Sequence, residues 1–211
     1  FEFMTIDYSP GDQVDSLENI NESGRGLVAC DEVMHRHLIR VMPEPQSGDI
    51  ERGFFPSLVL LVGEGPRIEA IGDALRDRAA SVHIAANFEA AHPLFDSLGG
   101  ARKIDAIGIV LSAAKERKAW NLSDEDWQTR RSAAITGPFK LLKRFLPFRD
   151  DAKIFAVTVL GGALGFDNIV QGSPENGGLL GLFKAIRREF DSAQVQVLDT
   201  SPSAGAAQVA K

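Results

Sequence analysis

Several residues in this 211-residue chain have types and spacing that could do chemistry. The first set is a glycine turn, Gly63-Glu64-Gly65-Pro66-Arg67-Ile68, directly after the apolar run Leu58-Val59-Leu60-Leu61-Val62. A strand, a glycine turn and a helix in that order can hold a pyrophosphate on backbone N–H groups at the helix N-terminus. Two glycines of a G-x-G-x-x-G pattern are present, at Gly63 and Gly65, and the third place holds Ile68. The third glycine lets helix and strand pack closely, so Ile68 must push the helix away or fill the groove. Glu64 puts negative charge where a phosphate would lie, and Pro66 removes a donor. The turn at Gly63 and Gly65 therefore reads as degenerate, and no cofactor-binding residue is assigned.

The other sets are weaker. His83 lies two residues from Ser81, but a base and nucleophile are recognised by geometry, and a histidine on a strand is more often a packed or rim residue. Glu175 and Glu189 are too isolated for an acid/base pair. His35 and His37 would share one face of a strand, yet no third or fourth ligand completes a metal site. Trp120 and Trp127 flank a helix start, where packing explains large aromatics better than ligand stacking. No catalytic residue and no metal ligand is assigned.

The composition agrees with this restraint. Hydrophobic content is 44% and charged content 25%, ordinary for a soluble globular protein. The net charge of −6 argues against nucleic acid as a partner. The small basic cluster Lys140, Lys143 and Arg144 reads as the solvated face of a helix. The longest apolar stretches, near Leu58–Val62 and Ile104–Ala114, are far short of a membrane span. No signal-peptide pattern opens the chain. A single cysteine, Cys30, excludes an internal disulfide and fits a reducing cytoplasm.

The elements that must position these residues follow from periodicity. Phe1-Glu2-Phe3 ahead of Met4 reads as a cloning scar outside the fold. Residues 4–24 are polar and acidic, as in a linker or extended segment. Gly26–Cys30 and His37–Met42 are short β-type runs that could form a hairpin or edge ribbon, the second stopped at Met42-Pro43-Glu44-Pro45. Leu58–Val62 is a strand buried on both faces. The spacing of Ile68, Ile71 and Leu75 predicts an amphipathic helix over Pro66–Ala79. Val82–Ala86 is the next strand, and a helix within Phe88–Leu98 ends at Gly99-Gly100. Ile104–Leu111 is the third core strand. Ser123 with Asp126 resembles a capping box that opens a helical region to about Phe145, interrupted at Gly137-Pro138. Lys153–Val159, a helix over Gly177–Phe190 and the strand Gln194–Leu198 follow. Ser201-Pro202-Ser203 then suggests the cap of a further helix.

Strands separated by helices imply βαβ units and a parallel sheet. The expectation is an α/β fold: a truncated Rossmann-like parallel sheet flanked by helices, with an N-terminal β-ribbon. About 17 residues separate Val82–Ala86 from Ile104, too few for helix, strand and helix, so one βα unit of a full dinucleotide fold is missing.

The alternation from Ser57 to Thr200 resembles a short-chain dehydrogenase. The resemblance narrows at Gly177-Gly178-Leu179-Leu180-Gly181-Leu182-Phe183-Lys184, at Val195-Gln196-Val197-Leu198-Asp199, and at Phe155–Gly162 with Gly165-Phe166. With His37–Pro43, these are similar in order and spacing to ketoreductase domains of type I polyketide and polyunsaturated fatty acid synthases, over roughly Glu32 to Thr200. Such reductases rely on a Tyr with a Lys four residues later. Here the sole tyrosine, Tyr8, lies in the N-terminal segment, and Leu180 stands four residues before Lys184. Ala134 occupies the place of an Asn, and Ser112-Ala113-Ala114 stands where Asn-Ala-Gly is common.

The resemblance is thus to the N-terminal structural half of such a domain. It implies residues 1–31 as scar and linker or extension, and 32–211 as the structural subdomain with its core at 57–200. It implies that this chain binds no cofactor itself, that NADPH belongs to the catalytic half, and that the partners are that half and other synthase domains, including the acyl carrier protein. A homodimer through the same packing face is the other way to cover an apolar patch. The alternative is an atypical stand-alone NAD(P)-dependent oxidoreductase or nucleotide-binding module, supported by Gly63 and Gly65. A regulatory ligand-binding module is a third class, since such folds host many functions.

Overall fold

A computed structural model of the chain describes residues 3–10, 37–44, 56–78, 80–112, 121–162, 164, 174–201 and 203–204. The chain forms two compact units, Phe1–Gly48 and Asp49–Lys211.

The first unit contains an antiparallel ribbon of β1 (Phe3–Pro10) and β2 (His37–Glu44). A ribbon was expected, but its partner strand differs. Phe3–Pro10, read as scar and linker, pairs with β2, and Phe3 stands opposite Glu44. Tyr8 lies in β1 opposite Ile39. Gly26–Cys30 lies outside the described residues. Pro43 does not stop β2: it sits in the strand opposite Met4. A two-stranded ribbon has only edge strands, where a missing N–H can face away from the partner.

The second unit is a five-stranded sheet, all parallel, in the order β4-β3-β5-β6-β7. The strands are β3 (Leu58–Gly63), β4 (Ser81–Ala85), β5 (Ala106–Val110), β6 (Lys153–Thr158) and β7 (Gln194–Asp199). The helices between them are α1 (Pro66–Arg76), α2 (Phe88–Ser97), α3 (Asp124–Arg131), α4 (Gly137–Phe145) and α5 (Pro174–Glu189). The central strands β3 and β5 are apolar almost throughout because both of their faces are covered. On one face Leu60, Ile107, Ile109, Ile154 and Ala156 pack against Phe95 of α2, Leu141 and Phe145 of α4, and Leu179 and Phe183 of α5. On the other, Val59, Leu61, Val110 and Val157 pack against Ile68 and Ile71 of α1. The truncated Rossmann-like sheet is therefore present. α2 alone, with a 3-10 turn at Gly100–Arg102, connects β4 to β5.

Asp105 locks the strand starts together. Its Oδ2 accepts the Ser57 and Leu58 N–H groups at 2.9 and 3.0 Å, and its Oδ1 accepts from Arg149 at 2.5 Å. Two helix expectations need correction. The irregularity in the helix opened by Ser123 falls not at Gly137-Pro138 but just before it, as a π turn over Ser132–Thr136. Pro138 cannot donate to residue 134, so the ladder widens and the Gly137 N–H reaches back five residues to the Ser132 carbonyl. Gly137 is required there, since a Cβ would lie 2.6 Å from that carbonyl oxygen and 2.5 Å from the Phe88 ring. Helix α5 starts at Pro174 rather than Gly177, because proline is tolerated in a first turn.

Candidate crevice at the carboxyl edge of the sheet

In an open parallel sheet a ligand crevice opens beyond the strand C-termini where chain direction reverses, here between β3 and β5. Gly63 ends β3 at that point with φ +148°. A Cβ on it would lie 2.2 Å from the Val110 carbonyl oxygen and 3.4 Å from Ile68 Cδ1. Ile68 is only 1% exposed. It packs between α1 and the sheet, in the helix–strand contact where a third glycine would allow closer approach. Gly65 precedes α1 with φ +91° and open space around its missing Cβ. Glu64 is exposed. Arg67, in the first turn of α1, turns from the loop and donates to the Ser201 and Ala204 carbonyl oxygens at 3.3 and 3.1 Å. The turn ahead of α1 is thus open to solvent, while the one cation of the first turn of α1, Arg67, is spent on the chain's own carbonyls.

The ends of β6 and β7 are joined through Asp199. Its Oδ1 accepts from the Thr158 hydroxyl at 2.9 Å and the Leu160 N–H at 2.7 Å. Its Oδ2 accepts the Gly162 and Leu164 N–H groups, both at 2.8 Å. This carboxylate folds the loop after β6 over itself, with positive φ at Gly161, Gly162 and Leu164. Asn176 of α5 holds the same edge, its Oδ1 accepting the Val159 N–H at 3.0 Å. The buried Thr200 hydroxyl donates to the Thr158 carbonyl at 3.0 Å.

The residues singled out in the sequence do not converge. Ser81 Oγ and His83 Nε2 are 3.4 Å apart at the start of edge strand β4, away from the carboxyl edge, with no carboxylate recorded on the imidazole among the described residues. Lys184 is exposed on α5, one turn beyond the half-buried Leu180. Ala134 is buried in the π turn. Glu175 and Glu189 sit at opposite ends of α5, about 21 Å apart along its axis. Trp127 is exposed on α3, and Trp120, His35, Ala113 and Ala114 lie outside the described residues. Of the basic cluster, Lys140 and Lys143 are exposed. Arg144 is instead engaged: it pairs with Asp96, meets His92 Nδ1 at 3.2 Å and lies 5.0 Å from the centre of the Phe95 ring. Among the described residues no three His, Cys, Asp or Glu side chains form a metal-binding group, and no helix is long and apolar enough to cross a membrane.

Sequence reasoning missed the roles of Asp199, Asn176 and Glu175. Asp199 had a legible signal: a carboxylate ending a strand, in a chain whose preceding strand runs into Gly161-Gly162. Glu175 had none, because a glutamate in a first helical turn is ordinarily an exposed partner of the helix dipole. In the fold it is 3% exposed.

No family model matches the chain, and no curated protein matches it. Solved structures do. The aldohexose dehydrogenase of Thermoplasma acidophilum in ligand-free form is similar at TM-score 0.54 and 14% identity, over 67% of this chain and 64% of that one. A small-chain dehydrogenase is similar at TM-score 0.59 and 12% identity, over 73% and 85%. The alcohol dehydrogenase of the archaeon Thermococcus sibiricus, complexed with 5-hydroxy-NADP, is similar at TM-score 0.53 and 14% identity, over 72% and 87%. At such identities the likeness shows the fold, a Rossmann-like parallel sheet of the short-chain dehydrogenase kind.

Proposed function

We propose that this chain is the non-catalytic structural subdomain of a β-ketoacyl reductase domain in a multidomain polyketide or fatty acid synthase. Its work is to pack against the NADPH-binding catalytic half and stabilise it. The observation that carries this reading is the turn ahead of α1: its third glycine place holds the buried Ile68, Pro66 offers no N–H, and Arg67 is bonded to the Ser201 and Ala204 carbonyl oxygens. The position four residues before Lys184 supports it: Leu180 has no proton to give to a carbonyl.

The outer side of α5 is the packing surface this reading requires. Gly177, Gly181 and Ala185 recur every four residues on its exposed side, and a Cβ on either glycine would meet nothing within 4 Å. Side chains absent at that spacing let a partner backbone approach closely. Gly181 and Ala185, with Lys184, Arg188 and Glu189, line an open depression on this side of the helix. Co-expression with the catalytic half should give a complex with a higher melting temperature than this chain alone. A folded catalytic half that neither co-purifies nor shifts the melting temperature would rule the packing role out.

A second reading, an atypical NAD(P)-dependent oxidoreductase complete in itself, is favoured by the dehydrogenase fold and by the Gly63-x-Gly65 turn ahead of α1. Direct binding of NADPH separates the two.

A further inference from the structure

Helix α3 is attached to the fold unlike the other four helices: it buries none of its side chains. Its first turn is closed locally, the Ser123 hydroxyl oxygen accepting the Asp126 N–H at 3.1 Å. Its last turn carries a local pair, Arg131 donating to Gln128 at 2.6 Å. Its aromatic residue, Trp127, is 37% exposed. A helix with so little burial belongs to the low-stability end of a fold.

Among the described residues, two features nevertheless connect α3 to the body. The first is the π turn Ser132–Thr136, which joins it to the well-buried α4. This turn is seated on α5, where a Cβ on Gly178 would lie 2.7 Å from Ile135 Cδ1. The second is an ion pair. Arg130 Nη1, on the last turn of α3, lies 3.7 Å from Glu175 Oε1, on the first turn of α5. The Glu175 side chain is 2% exposed, and neither of its oxygens has a hydrogen-bond partner among the described residues. A buried carboxylate is costly unless a cation stays near it, so the pair favours one position of α3. The next residue, Asn176, holds the end of β6 through the Val159 N–H. The pair therefore sits at the carboxyl edge of the sheet.

We infer that α3 is a hinged peripheral helix, with the π turn as hinge and the Arg130–Glu175 pair as the latch that holds its last turn to the first turn of α5. When it opens, the buried Glu175 carboxylate loses the Arg130 guanidinium. This inference does not depend on the function proposed above.

Hydrogen exchange on the full chain tests it, comparing the parent with Arg130→Met and with the double variant Arg130→Met/Glu175→Met. The double variant removes the stranded buried charge, so it remains informative if the single variant fails to fold. The expected result is at least tenfold faster exchange over residues 124–131 in the double variant, with β3 and β5 amides as slow as in the parent. Three outcomes would overturn the latch: unchanged exchange over 124–131, acceleration spread equally over α4 and α5, or free exchange of α3 already in the parent.

Discussion

Asp199 directs both carboxylate oxygens at its own chain, and this decides what the carboxyl edge of the sheet can do. Four donors converge on it from Thr158, Leu160, Gly162 and Leu164. Asp199→Ala leaves these donors without their acceptor and should cost about 2–4 kcal/mol, read as a lower denaturant midpoint. A variant as stable as the parent would mean that the loop is held by something else. Gly63 and Gly65 give a paired prediction. Gly63→Ala places a methyl group into the Val110 carbonyl and should cost more than about 2 kcal/mol, by overpacking and backbone strain together. Gly65→Ala meets open space and carries only the penalty of its φ +91°, ψ 178° backbone, about 1–3 kcal/mol. Equal midpoints for the two would contradict the close approach of β3 to β5. Ile68 was legible at this scale as the residue in the third glycine's place, and the fold buries it between α1 and the sheet. Glu175 was not, because its burial comes from neighbours distant in sequence.

At the level of elements, periodicity located every strand of the sheet and the helices between them to within a few residues, since strands buried on both faces read as apolar runs. Two kinds of feature stayed hidden. The ribbon partner of His37–Glu44 was misread, because pairing between residues 27 to 41 apart leaves no local mark in the polar segment that contains Tyr8. The π turn was displaced by one turn, because the proline acts on the carbonyl four residues earlier. Helix α5 carries the element-scale prediction. Gly181→Ala adds helix propensity in open space and should stabilise the isolated chain by up to about 1 kcal/mol. Gly181→Leu should leave the chain's own melting temperature near the parent value yet weaken co-purification with the catalytic half at least tenfold. Undiminished co-purification would remove α5 from the packing surface.

For the molecule as a whole, the strand order β4-β3-β5-β6-β7 is that of a Rossmann-like parallel sheet with a single α-helix between β4 and β5, as the 17-residue interval implied. The fold was readable because alternating elements and right-handed crossovers leave few topologies. Function was less readable, because it rests on what fills the crevice. The proposed role is therefore tested most directly by titrating the folded chain with NADPH and following nicotinamide fluorescence. With Glu64 beside the turn, Pro66 lacking a donor and Arg67 bonded to the Ser201 and Ala204 carbonyls, no saturable change in fluorescence is expected through the high micromolar range. Saturable binding at micromolar concentration, lost in a folded Gly65 variant, would show that the crevice takes the cofactor and that the chain is not a purely structural subdomain.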